Sequence, residues 1–287
     1  MEKLRREGIV PPAPRRALLR LAELNPMRTR PQRPEHPRRD RRAHDDEGPA
    51  LIFGIHAVEA ALRNRRRAVH RVLLTDNAEH RLQAALAERG IQPERVTPRD
   101  LDKRLGPDTV HQGALMETEP LPEPTLEEIA AGQAGGPLLV LDQVTDPHNV
   151  GAVLRSAAVF GAAGLVMTRR HSPPLAGALA KSASGGLELV PVALVPNLAR
   201  ALQDLQALGF TRLGLDGAAE HLLEDEPLTG AVALVLGAEG KGLRHLTRET
   251  CDRLCRIATT GPISSLNVSN AAAVALHLAA MRRRAAC

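Results

Sequence analysis

The sequence contains no tryptophan, no tyrosine and only three phenylalanines, Phe53, Phe160 and Phe210. Proteins that read splayed RNA bases by stacking present several exposed rings. Little of that mode is open to this chain, and any RNA is expected to be gripped through backbone, charge and shape. Cysteine is nearly as scarce: Cys251, Cys255 and Cys287 make no disulfide framework. The first two are spaced like one helical turn with no second pair to complete a metal site, so no metal is expected. No apolar run reaches the roughly 20 residues of a membrane helix, and no apolar core ahead of a small-residue cleavage site marks a secretion signal. A cytoplasmic chain with no membrane partner is the expectation.

Positive charge is present but confined. The whole chain carries a formal +5, and residues 1–50 alone hold 13 Lys and Arg against 8 Asp and Glu, which leaves the rest near neutrality. RRALLR (Arg15–Arg20) and RTRPQRPEHPRRDRR (Arg28–Arg42) mix arginine with proline, a combination that keeps a chain solvated and extended. Such an arm binds RNA phosphates without reading sequence; a solubilising extension with no fixed partner is the plainer alternative. Residues 1–48 are read as this tail.

The remaining length holds two cores. Residues 49–118 read as a small α/β domain: an apolar LIF, a helix with Val58, Ala61 and Leu62 on one side, a strand over Val69–Leu74, a helix from about Glu79 to Arg89 stopped by Gly90, and the strand-like HQGALMET. EPLPEPTLEEIAAGQAGG, residues 119–136, shifts to Pro, Glu and Gly and reads as a linker. Over 137–287 the spacing predicts strands at Leu138–Leu141, Gly164–Met167, Leu187–Leu194, Arg212–Leu215, Ala231–Leu236 and Leu254–Ile257. Helices are expected at Val150–Phe160, Leu175–Ala183, Leu198–Leu208, Leu243–Cys251 and Val268–Arg284. Strands apolar on both faces and separated by helices predict a mostly parallel sheet covered on both sides.

In such a sheet, ligands bind beyond the carboxyl ends of the strands, and three strand-to-helix junctions carry polar residues. In LDQVTDPHNVGAVLRSA, Asp142, Asp146, His148 and Asn149 precede a helix that carries Arg155; Asn149 and Arg155, six apart, can point toward one cleft. LVLGAEGKGL sets Gly237, Gly240 and Gly242 around Glu239, without the spacing of a Walker loop or of GxGxxG. GPISSLNVSNAAAVALHL runs Ser264, Ser265, Asn267, Ser269 and Asn270 into an apolar helix, more polar groups than one cap requires. Taken singly, Asn149 reads equally well as a helix cap, Arg155 as a surface cation and Glu239 as a turn residue.

Together, NVGAVLRSA, LVLGAEGKGL and SSLNVSNAAAVAL resemble, in order and spacing, the three motifs of the SpoU-type RNA ribose 2'-O-methyltransferases, members of the SPOUT superfamily. FGIHAVEAAL and HQGAL resemble the RNA-binding substrate domain of members that methylate 23S rRNA guanosines. The resemblance covers everything except the basic tail. It implies a C-terminal α/β methyltransferase domain tied in a trefoil knot, S-adenosylmethionine as methyl donor, and a homodimer with its active site at the subunit interface. RNA is the implied partner and DNA is not. By motif position Asn149, Arg155, Glu239, Ser265 and Asn267 are the implied catalytic residues, and Gly237, Ile257 and Leu266 the implied cofactor contacts. The chain departs from the family just after Ile257, where Pro-Met is common and Ala258 and Thr259 stand here. A guanidinium keeps its proton at neutral pH, so Arg155 acts either as a strongly perturbed base or as an electrostatic activator. A tRNA guanosine as target, or a noncatalytic RNA-binding assembly factor on the same fold, are the competing readings.

Overall fold

A computed structural model describes residues 48–132, 136–262 and 265–286. The tail read over 1–48 lies outside them except for Gly48, as do Ser264 and Cys287. The described residues open with β1 (Ala50–Phe53), α1 (Ile55–Arg63), β2 (Val69–Leu74), α2 (Asp76–Arg89), β3 (Glu94–Arg95), α3 (Pro98–Leu105) and β4 (Ala114–Thr118), with the strands in the order β1-β4-β2-β3. Ile55, Val58, Ala61 and Leu62 form the buried stripe of α1. Gly90, with φ 71°, ends α2 where a side chain would be strained. Gln112 takes φ 55°, and its Oε1 accepts the Ile55 backbone N–H at 3.0 Å, so the HQG turn holds the start of α1.

The segment read as a linker is only partly one. Thr125 and Glu128 make a reciprocal capping box that starts α4 (Leu126–Ala131), and Leu126 and Ile129 are buried with Leu138, Val140 and Phe210. The T-x-x-E signature was present in the sequence, but six residues are too few to show a helical period.

The larger sheet follows: β5 (Leu138–Asp142), α5 (Pro147–Phe160), β6 (Gly164–Thr168), α6 (Gly177–Ala183), α7 (Gly186–Leu189), β7 (Val192–Val195), α8 (Leu198–Ala207), β8 (Thr211–Leu215), β9 (His221–Leu222), β10 (Val232–Gly237), α9 (His245–Thr250), β11 (Arg253–Arg256) and α10 (Val268–Ala286). The expected strand Leu187–Leu194 is a correction: its first part is the short helix α7, and pairing starts only after Pro191, which has no N–H for a ladder. The strand order is β7-β6-β5-β10-β8-β11-β9, and every pairing is parallel. Side chains alternate across it: Leu139 and Leu141 pack with α5 and α10 on one face, Leu138 and Val140 with α8 on the other. The chain leaves β5 toward β6 and β7 in one direction, and β10 enters on its other side. The order therefore reverses between β5 and β10, whose carboxyl ends lie in register at Asp142 and Gly237. A crevice opens at such a reversal.

Candidate active site

Each of the three sequence junctions arrives at this crevice, and each is held by local chemistry. After β5, Asp146 caps α5 by accepting the His148 N–H at 3.0 Å, with Pro147 in the first helical position. This sets Asn149 on the first turn. After β10, the chain folds back so closely that a Cβ on Gly237 would sit 2.1 Å from the Gly242 carbonyl carbon; only glycine fits. Fully buried Asp142 pins the far side of this loop, accepting the Arg244 backbone N–H at 2.9 Å and its Nε at 2.7 Å. The loop tip presents Glu239.

Asn267 joins the two. Its Oδ1 caps α10, accepting the Ser269 N–H at 2.8 Å and the Ser269 hydroxyl at 2.6 Å. Its Nδ2 donates to Asn149 Oδ1 at 3.0 Å and to Glu239 Oε1, and Asn149 Nδ2 donates to that same oxygen at 2.9 Å. Capping and site-building, rival readings of this residue in the sequence, belong to opposite ends of one amide. The result is a closed triangle of hydrogen bonds from three separate junctions.

Beside the triangle lies a cavity of about 510 Å³ beyond the ends of β8, β10 and β11. Gly237, Glu239, Ile257, Ser265 and Leu266 line it, along with Thr259. The volume is that of a site for one cofactor-sized molecule. S-adenosylmethionine fits the lining: apolar Ile257 and Leu266 suit an adenosine, and the glycine loop leaves backbone free of side chains. At the position where the family often carries proline, the Ala258 N–H donates to Glu224 Oε1 at 3.0 Å. A proline there would have no N–H to give, so a carboxylate from the turn before β10 steadies the loop instead. Neither Glu224 nor the Asp142–Arg244 pair was singled out for this holding role in the sequence. Asp142 sat visibly beside the first motif, whereas nothing local connects Glu224 to Ala258.

Arg155 is not brought to the triangle. Six residues along a helix is a rotation of about 240° and a rise of about 9 Å, so Arg155 shares its exposed stripe with His148 and turns away from Asn149. It lines a separate shallow depression with His56, Val159, Ser184 and Leu189. The one-cleft expectation overlooked that angle.

The SpoU rRNA Methylase family matches residues 136–277, and the RNA 2'-O ribose methyltransferase substrate-binding family matches residues 51–124. The chain belongs to the SpoU rRNA methylase family. Among its relatives, the 23S rRNA (guanosine-2'-O-)-methyltransferase RlmB of Vibrio cholerae is 42% identical over 242 residues, which is 82% of this chain and 98% of the relative. RlmB of Pseudomonas syringae is 41% identical over 243 residues, again 82% of this chain and 96% of the relative. The solved SpoU methyltransferase AviRb from Streptomyces viridochromogenes, in complex with AdoMet, matches with TM-score 0.70 at 25% identity, over 83% of this chain and 91% of that one.

Proposed function

We infer that the protein methylates the ribose 2'-hydroxyl of a guanosine in 23S rRNA, using S-adenosylmethionine. The observation that carries this is the Asn149–Glu239–Asn267 triangle beside the cavity lined by Gly237, Ile257 and Leu266. When bound, the cofactor supplies an electrophilic methyl on a sulfonium. The chain must then hold the hydroxyl and help it shed its proton, and proximity accounts for a large share of the barrier. Glu239 and Asn267 fix the Asn149 amide, which orients the hydroxyl. Ser265 borders the cavity with a hydroxyl of its own. Arg155 stands off from these groups, so its role is electrostatic: its charge holds a phosphate next to the target ribose and eases proton loss through space.

Several further points belong to the same proposal. Residues 49–118 bind the RNA and 137–287 transfer the methyl group. The late entry of β10 between β5 and β8, and of β11 between β8 and β9, supports the trefoil knot that the family resemblance implies, against the usual rule that chains do not thread loops. Val274 and Met281 on α10 are 41% and 49% exposed on one face, the apolar surface a homodimer would cover. An rRNA-modifying activity supports a cytoplasmic location.

The test is ribose-methylation mapping of total RNA from cells with and without the gene. One 23S guanosine should lose its 2'-O-methyl group and regain it on complementation. Loss at a tRNA position with every 23S site intact would move the target to tRNA. No loss at all, with no S-adenosylmethionine binding in calorimetry, would leave an assembly factor.

A further inference from the structure

The depression that holds Arg155 has no part in the triangle, yet it is constructed with care. Its volume is about 460 Å³, and it draws on both sheets: His56 comes from α1, Arg155 and Val159 from α5, Ser184 and Leu189 from the α6–α7 region. Two adjacent glycines bring these elements together. A Cβ on Gly185 would lie 2.7 Å from the Ala60 Cβ, and one on Gly186 would lie 2.7 Å from the Leu154 carbonyl oxygen. Gly185 has φ 96° and Ser184 before it has φ 49°, a strained value for a residue with a side chain. Any larger residue at 185 or 186 would push α1 and α5 apart and separate His56 from Arg155.

The lining chemistry is one-sided. It offers a guanidinium, an imidazole and a hydroxyl, and no carboxylate. The nearby acids are engaged elsewhere, Glu59 with Arg63 and Glu188 with Arg67. Among the described residues no carboxylate pairs with Arg155, His56 or Lys181, and the Lys181 stem lies against Gly54, two residues before His56. Beside these donors, Val159 and Leu189 are 71% and 74% exposed. Cationic donors next to exposed aliphatic surface match one nucleotide of a single strand, with its phosphate on the donors and its sugar and base edge on the aliphatic groups. Val159 and Leu189 are the exposed apolar side chains that this depression offers a base.

We propose that this depression is a second RNA subsite, which takes the phosphodiester and base of a nucleotide flanking the methylated one, with His56 joining Arg155 as phosphate donors inside it, Lys181 as a further donor from beside Gly54 outside the lining, and Val159 and Leu189 as the base contact. It rests on the reading of the protein as an RNA ribose methyltransferase. It gives the small sheet a direct share in positioning the target, because His56 reaches the strand within the same pocket as a residue of α5.

The test compares the wild type with His56→Ala, Lys181→Met and Leu189→Ser, using a 23S rRNA fragment that the wild type methylates. His56→Ala and Leu189→Ser should each weaken RNA binding by about tenfold. Lys181→Met, which keeps the stem over Gly54, should lower the slope of log affinity against log salt by about one. Single-turnover methylation at saturating RNA, S-adenosylmethionine affinity and melting temperature should stay at wild-type values, a split that a purely structural role would not give. Wild-type RNA affinity in all three variants would overturn the subsite while leaving the methyltransferase reading intact. A change in oligomeric state for Leu189→Ser without loss of RNA affinity would assign the surface to a second copy of the chain, and the proposal would fall. A wild type that neither binds nor methylates rRNA would remove both readings.

Discussion

Asn267 divides its work between the two ends of one side chain, and this allows the two to be separated experimentally. Asn267→Asp keeps an acceptor for the Ser269 N–H but loses the donor to Asn149 and Glu239, and sets a second carboxylate beside Glu239. Melting should change little, while single-turnover methylation falls by on the order of a hundredfold. Asn267→Ala loses the cap as well and should cost about 1 kcal/mol of stability. If the Asp variant kept full turnover, the triangle would be only a helix cap. At this scale the sequence was legible where chemistry follows local order: Asn149, Glu239 and Asn267 lie in recognisable motifs and do meet. It was illegible where position depends on angle or distance. The stripe occupied by Arg155 follows from the helical period together with the entry angle of α5, and the Glu224–Ala258 contact joins loops far apart in the chain.

At the scale of elements, two ion pairs fix how strands and helices meet. Arg212 grips Asp252 through its backbone N–H at 2.7 Å, Nε at 2.9 Å and a terminal nitrogen at 2.6 Å, tying β8 to the turn before β11. Hydrogen bonding from Arg212 holds the Asp252 carboxyl below the usual carboxylate range. A depressed carboxyl contributes stability above its unfolded pKa, near 3.9, and loses it as pH falls through the lower native value. The unfolding free energy of the wild type should therefore exceed that of Asp252→Asn near neutrality, with the gap closing as pH falls below the ordinary carboxylate range; denaturant titrations at several pH values measure it. The second pair joins the loop after α1 to helix α7. Arg67 and Glu188 are 1% and 4% exposed and meet at 2.6 Å, with Asn64 donating to the same carboxylate at 2.7 Å. Glu188→Ala would strand a buried guanidinium and should cost about 3–5 kcal/mol, whereas a paired Arg67→Met, Glu188→Leu variant should recover most of that. Equal losses in single and double variants would mean that packing, not charge, dominates there. Nothing in the sequence foretold this pair, because it depends on how α7 sits against the loop after α1. That same loop-to-helix stretch is where the strand expectation failed, since LELVPV is apolar enough for either state.

For the whole molecule, the apolar face of α10 carries the clearest expectation. Sedimentation of the wild type should give a dimer, and Val274→Glu with Met281→Glu should give a folded monomer with reduced methylation; a wild-type monomer of full activity would remove the dimer. Removing residues 1–48 should flatten the salt dependence of RNA binding without changing which nucleotide is modified. The parallel character of the sheet was readable, because strands buried on both faces are apolar throughout, but its strand order was not, since pairing in a parallel sheet is set between segments distant in sequence.

That order also governs how the molecule comes into being. Next to the central strand of the larger sheet, β5 finds its partner β10 only when the chain has reached Val232, after four intervening strands have been made, and β8 likewise waits for β10. On the ribosome the small sheet, complete at Thr118, has all its strands in hand while β5 still exposes one edge. Closure of the crevice is thus among the last events of synthesis, and a nascent chain stalled before Gly237 would carry an RNA-binding half with an open, aggregation-prone strand edge in place of a methyltransferase.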